Sequence, residues 1–290
     1  MKNLYNYVGC DNVNGLLCIN KEKGMTSFDV VRNIQRKLKV KAGHSGTLDP
    51  NATGVLVVAI NKATKSLQFL GLEDKVYHAT LTFGIQTDTG DIWGETLKSE
   101  SPIVLDEETL HKVLKSMVKK QKQRVPNVSA KKIDGKKLYE YHRENQPIET
   151  QYTDIEIYRV ELTEINENAI SFRAHVSNGT YIRTLCEDIA EKLGTVGTMS
   201  ALTREKVGKF SIDECITLDE INENTPLISV LDAISLPTIH SDAFNIPIMH
   251  GKRITLDDFT GDLVLLDGGE YFAVYKREKE NTFKSVRGLW

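Results

Sequence analysis

The chain has 290 residues, a formal net charge of -3, 40% apolar residues and 27% charged residues. These values fit an ordinary globular protein and exclude disordered, collagen-like and coiled-coil classes. No uncharged apolar run approaches the roughly 20 residues of a membrane helix, and residues 1–12 lack the apolar core of a secretion signal, so a cytoplasmic protein is expected.

The length predicts one large domain with a small appendage. Cys10, Cys18, Cys186 and Cys215 are far apart, without a Cys-x-x-Cys pair or a histidine at zinc-ligand spacing, and read as reduced structural thiols. The net charge hides a local excess: between Lys112 and Arg143, eleven Lys and Arg residues are interrupted from Lys119 onward by only Asp134 and Glu140.

In chain order, 15–20 reads as a buried strand and 21–24 as a turn. A helix follows, opened by a capping box from Thr26 and Asp29, with Phe28, Val31, Ile34 and Leu38 as its apolar face. A glycine-rich loop leads to a continuous apolar strand at 55–60, a short helix at 63–70 and an alternating strand at 77–83. Asp106 caps a second helix with Leu110, Val113, Leu114 and Met117 as its buried stripe. The β signal returns at 153, 169–177 makes a further strand, and Asn178-Gly179 marks a tight turn before a helix stopped by Gly194. Beyond 236, short β-like runs at 262–266, 271–275 and 282–286 predict a small β-rich terminal domain.

The loop Gly43-His44-Ser45-Gly46-Thr47-Leu48-Asp49-Pro50-Asn51-Ala52-Thr53-Gly54 concentrates unusual chemistry. Its glycines allow backbone angles closed to other residues, and Pro50 stiffens the chain just after an acid. Alone, an Asp-Pro pair most often marks a turn. The whole string resembles the signature of the TruB family of pseudouridine synthases, Gly-His-x-Gly-x-Leu-Asp-Pro-x-Ala-x-Gly, at every specified position. Ser177-Asn178-Gly179-Thr180-Tyr181-Ile182-Arg183 and Leu202-Thr203-Arg204-Glu205-Lys206-Val207-Gly208-Lys209-Phe210 match two further family motifs, and residues 84–91 match another segment. The likeness is strongest over residues 15–210.

The resemblance implies a mixed α/β fold, a large mixed β-sheet flanked by helices. It places the catalytic domain at 1–235, with an RNA-gripping insertion at about 120–150, and a PUA-like domain at 236–290. It implies conversion of uridine 55 in the tRNA T-loop to pseudouridine by one carboxylate, Asp49, as nucleophile or as the base that removes a ribose proton. No cofactor, metal, membrane or obligatory protein partner is implied, and tRNA is the expected partner. A base that must turn over has to leave its stack. By the resemblance, His44 fills the vacated space, Tyr77 stacks on the base, Leu202 packs against it, Arg183 is the counter-ion of a buried Asp49, and Lys21 is a weaker site candidate. Lys131, Lys132 and Lys136 are RNA-binding candidates in the insertion, marked also by Gln123, Pro126, Ser129 and Ala130. Val125-Pro126-Asn127 and Asn20-Lys21-Glu22 depart from the usual motifs. Two alternatives stay open from the sequence: a tRNA-binding or folding module with dispensable catalysis, and a guide-RNA-dependent relative.

Overall fold

A computed structural model describes residues 13–289 except 102, 105, 130 and 145, so the expectations for Cys10 and Ala130 lie outside the described residues. The chain runs through β1 (Gly15–Lys21), α1 (Ser27–Leu38), β2 (Ala42–Ser45), β3 (Thr53–Ile60), β4 (Lys75–Phe83) and the hairpin β5 (Ile85–Thr87) and β6 (Thr96–Ser99). Next come α2 (Glu107–Ser116), β7 (Lys120–Arg124), the hairpin β8 (Lys132–Ile133) and β9 (Lys136–Lys137), α3 (Leu138–Arg143), β10 (Tyr152–Ile165), β11 (Ala169–Val176), α4 (Ile182–Lys192), β12 (Gly197–Val207) and β13 (Phe210–Ser211). Five further strands follow: β14 (Thr238–His240), β15 (Ile254–Thr255), β16 (Leu263–Asp267), β17 (Phe272–Lys279) and β18 (Thr282–Gly288).

Among the described residues, nine strands form one mixed sheet ordered β1-β3-β12-β4-β11-β10-β7, with β2 added on β3 and β13 on β12. Strand β12 runs parallel to β3 and antiparallel to β4, which brings residues 53–54 beside residues 203–204. Seven of the eight residues of β3 are buried, as both faces are covered, whereas β4 alternates between buried and half-buried positions.

Helix α1 has the expected capping box, but its buried face is Ser27, Val30, Val31 and Ile34, while Phe28 is 57% exposed with Arg32 over its ring. The 3.6-residue period admits either neighbour at the first turn. Ser27 prevails because its hydroxyl accepts from Leu48 N at 2.8 Å and lies 3.1 Å from Leu48 O, tying the helix to the Asp49 loop. The expected helix at 63–70 is a 3-10 helix at Asn61–Phe69. Thr64 and Ser66 hydroxyls donate to carbonyls three residues back, at 2.8 and 2.7 Å, which suits that tighter winding. The expected glycine-rich loop is shorter than the motif, because residues 42–45 pair with β3 as β2.

The terminal strands form a five-stranded sheet ordered β14-β16-β17-β18-β15. Period-two alternation divides its faces: Val264, Leu266, Ala273 and Tyr275 fill its own core, while Leu265 and Val274 join Leu16, Val55 and Val57 in a core shared with the large sheet. Cys18 and Cys215, 197 positions apart, meet at the carbonyl of Ser211, and a hydrogen bond with Cys215 together with burial pushes the Cys18 thiol up. Cys18, Cys186 and Cys215 are free thiols. No helix among the described residues is long and apolar enough to cross a membrane.

Candidate active site

Asp49 lies in a short turn between β2 and β3, closed by donation from Ala52 N to Asp49 O at 3.1 Å. The turn is held from behind. Gly24 N donates to Pro50 O at 2.9 Å, Leu48 is buried and pinned by Ser27, and the Lys21 ammonium donates to Glu22 O, Met25 O and Pro50 O at 2.9, 2.7 and 3.0 Å. An ammonium has three donors, so Lys21 is fully occupied as a buried peg beneath the Asp49-Pro50 step. Burial lowers its pKa to about 8, against the opposing pull of Asp49.

Arg183 opens α4 and reaches the same turn. Its Nε stands 3.2 Å from Asp49 Oδ2, while Nη1 donates to Thr89 O at 2.7 Å and Nη2 to Val128 O at 2.8 Å. Asp91 Oδ2 lies 3.7 Å from Nη1. The burial is the reverse of the expected one: the Arg183 side chain is 6% exposed and Asp49 is 42% exposed. The guanidinium can be buried because a loop carbonyl accepts from each of its two Nη atoms, which leaves the carboxylate free to face the cleft.

Gln123, itself buried, fixes the start of α4: its amide oxygen accepts from Tyr181 N at 2.8 Å and its amide nitrogen donates to Tyr181 O at 3.0 Å. This marker of the insertion is thus an internal clamp. The 84–91 segment supplies Thr89 O and Asp91 to Arg183.

These elements enclose a cleft of about 280 Å³ whose lining includes Asp49, Tyr77, Arg183 and Leu202. Tyr77 on β4 and Leu202 on β12 sit on adjacent strands, with Tyr77 directly opposite Arg204. His44 is not part of this lining. It lies on β2 opposite Val58, with Nδ1 buried and without a hydrogen-bond partner, and burial followed by the field of Arg204 lowers its pKa. Lys21 lies behind the cleft. The three insertion lysines are also apart from it: Lys131 donates to Tyr152 O at 3.1 Å, Lys136 pairs with Glu144 beside the Tyr141 ring, and Lys132 is exposed.

Lys75, Asn178 and Arg204 line the cleft as well, yet the sequence reading assigned them no role. A signal existed, since Lys75 and Arg204 stand two residues from Tyr77 and Leu202 on the same strand faces.

A sequence profile for the N-terminal domain of TruB family pseudouridylate synthases matches residues 32–182, and one for the C-terminal domain of tRNA pseudouridylate synthase B matches 183–238. The chain belongs to the TruB family. It is 40% identical over 282 residues to the tRNA pseudouridine synthase B of Alkaliphilus oremlandii, covering 95% of this chain and 94% of that one. With the same-named protein of Mesoplasma florum it shares 37% over 284 residues, covering 96% and 98%. A solved chain from a Cbf5-Nop10-Gar1 complex superposes with a TM-score of 0.72 at 26% identity, covering 95% of this chain and 85% of that one. TruB family membership thus rests on both halves of the large domain.

Proposed function

We propose that the chain converts uridine 55 in the T-loop of tRNA to pseudouridine, with Asp49 as the group that acts on the nucleotide. The observation that carries the reading is the half-open Asp49 carboxylate, 3.2 Å from the buried Arg183 Nε, beside Tyr77 and Leu202 in one cleft. Near-complete coverage of relatives named for tRNA supports tRNA as the substrate.

In the reaction, the bond between uracil N1 and ribose C1′ breaks, the base rotates, C5 bonds to C1′, C5 loses its proton and N1 gains one. A single carboxylate can attack C1′ or remove a ribose proton, and Arg183 Nε, 3.2 Å from Asp49 Oδ2, holds its pose for either task. Tyr77 and Leu202 offer a ring and an apolar surface between which an extruded uracil can be held while it turns. His44 and Lys21 act from outside the cleft, His44 towards the space the base leaves and Lys21 on the pose of the Asp49 turn. Lys131, Lys132 and Lys136 then belong to phosphate contacts of the insertion at 120–150. We assign catalysis to 1–235 and additional RNA grip to 236–290.

The test is tritium release from tRNA carrying 5-tritiated uridine. Wild-type protein should release it, and Asp49→Asn should release none while still binding tRNA. Release by Asp49→Asn would remove Asp49 from its role, and no release by folded wild type would remove the reaction.

A further inference from the structure

The charge lining the cleft does not balance. Arg183 has two carboxylates near its guanidinium, Asp49 at 3.2 Å and Asp91 at 3.7 Å. Arg204 is only 1% exposed, yet its hydrogen bonds go to backbone carbonyls: Nε donates to Val55 O at 2.8 Å and Nη2 to Gly46 O at 2.9 Å. Lys75 is 7% exposed, and its ammonium donates to the neutral Asn178 Oδ1 at 2.7 Å. Among the described residues neither Arg204 nor Lys75 forms an ion pair.

Buried cations without a counter-charge are costly. Lys21 offsets that cost with three backbone carbonyls, whereas Arg204 and Lys75 each keep donors that no such group among the described residues takes up. The two cations meet at one place. A Cβ on Gly46 would lie 3.5 Å from Arg204 Nη1 and 3.9 Å from Lys75 Cε, so both side chains come within van der Waals reach of this glycine in the cleft wall. Gly46 has φ +76°, which also favours a residue without a side chain. The field is felt widely: burial and then Arg204 lower the pKa of Lys75 to about 8, and Arg204 also depresses Lys21 and His44. The acids that offset it at Lys75 are Glu73 and Asp74, both exposed. Nη1 of Arg204 and two donors of Lys75 remain for a ligand.

Resting on the reading that the chain acts on RNA, we propose that Arg204 and Lys75, flanking Gly46, form a seat for one phosphodiester of the RNA strand beside the base handled at Asp49. The neutral Asn178 side chain orients Lys75 without cancelling its charge. A phosphate held here would fix the ribose next to the carboxylate while the base is free to rotate.

The experiment measures binding of tRNAs in which single phosphodiesters flanking the target uridine are replaced by neutral methylphosphonates. For wild type, one linkage should weaken binding about tenfold and the others little. Lys75→Gln should bind unmodified tRNA several-fold more weakly, show a slope of log affinity against log salt smaller by about 0.7 to 1, and lose the extra penalty at that linkage. Lys75→Arg, which keeps the charge, should restore the penalty. The seat is refuted if no linkage is sensitive in wild type, a result that needs no variant to fold. It is refuted equally if folded Lys75→Gln keeps the wild-type salt slope and the full penalty. Wild-type binding without pseudouridine formation would instead overturn the proposed reaction, and the linkage scan would still decide the seat.

Discussion

Gly54→Ala tests how closely the site depends on the contact between β3 and β12. Gly54 has φ +101°, and a Cβ there would stand 2.2 Å from Arg204 O and 2.8 Å from Arg204 N. Backbone strain at such an angle costs about 1–3 kcal/mol, and forcing apart packed backbone adds about 1–3 kcal/mol. The total of about 2–6 kcal/mol corresponds to a fall of roughly 5–20 °C in Tm for a chain of this size. Gly135→Ala provides the comparison, because Gly135 has φ +83° with no atom within 4 Å of the added carbon, so it should show the strain alone. Thermal and urea unfolding of both variants would separate the two contributions. Single-turnover pseudouridine formation with Gly54→Ala, below its Tm, should fall at least tenfold, since Leu202 and Arg204 ride on the displaced strand. A loss no larger than that of Gly135→Ala would refute the reasoning.

Arg183→Lys should slow the bound-state step about 10- to 100-fold with less effect on tRNA affinity, because an ammonium cannot reach Asp49, Thr89 O and Val128 O together; rapid-quench kinetics would check this. Lys75, with its pKa lowered to about 8 from 10.5, binds its proton less readily folded than unfolded. Its burial penalty is therefore full below pH 8 and fades as pH rises to about 10.5, a gain of up to about 3 kcal/mol. The urea-unfolding difference between wild type and Lys75→Gln, followed from pH 7 to 10.5, should move in favour of wild type, and a flat difference would contradict this sign. On the terminal sheet, exposed Lys276 and Lys284 stand directly opposite each other, a like-charge pair that Glu278, 3.6 Å from the Lys284 ammonium, offsets only on one side. The double change to Glu should weaken tRNA binding severalfold, measured by filter retention, while the single-turnover rate at saturating enzyme stays near wild type.

The sequence revealed much of the secondary structure because its signals are local: the Thr26 capping box, the apolar run of β3 and the alternation of β4 are complete within a few residues. The convergence of Asp49, Tyr77, Arg183 and Leu202 was legible through motifs, since periodicity cannot bring together residues over a hundred positions apart. What escaped depends on tertiary partners. Phe28 and Ser27 compete for one helical face, and only the position of Leu48 decides between them. The exposure of Asp49 depends on loop carbonyls from residues 89 and 128 that satisfy Arg183 in its place. Arg204 reads as an ordinary polar residue of a strand until Gly46 O and Val55 O are found around its guanidinium.

The guanidinium of Arg183 draws its partners from three distant stretches, around residues 49, 89 and 128, and itself arrives only with α4. Such contacts close large loops, and their closure entropy has to be met before the contacts reward it. A nascent chain ending before α4 would therefore carry the Asp49 turn without its counter-ion. During synthesis, the ability to act on a nucleotide would appear only after most of the large sheet has assembled, so a partly made chain could meet RNA before it could alter it.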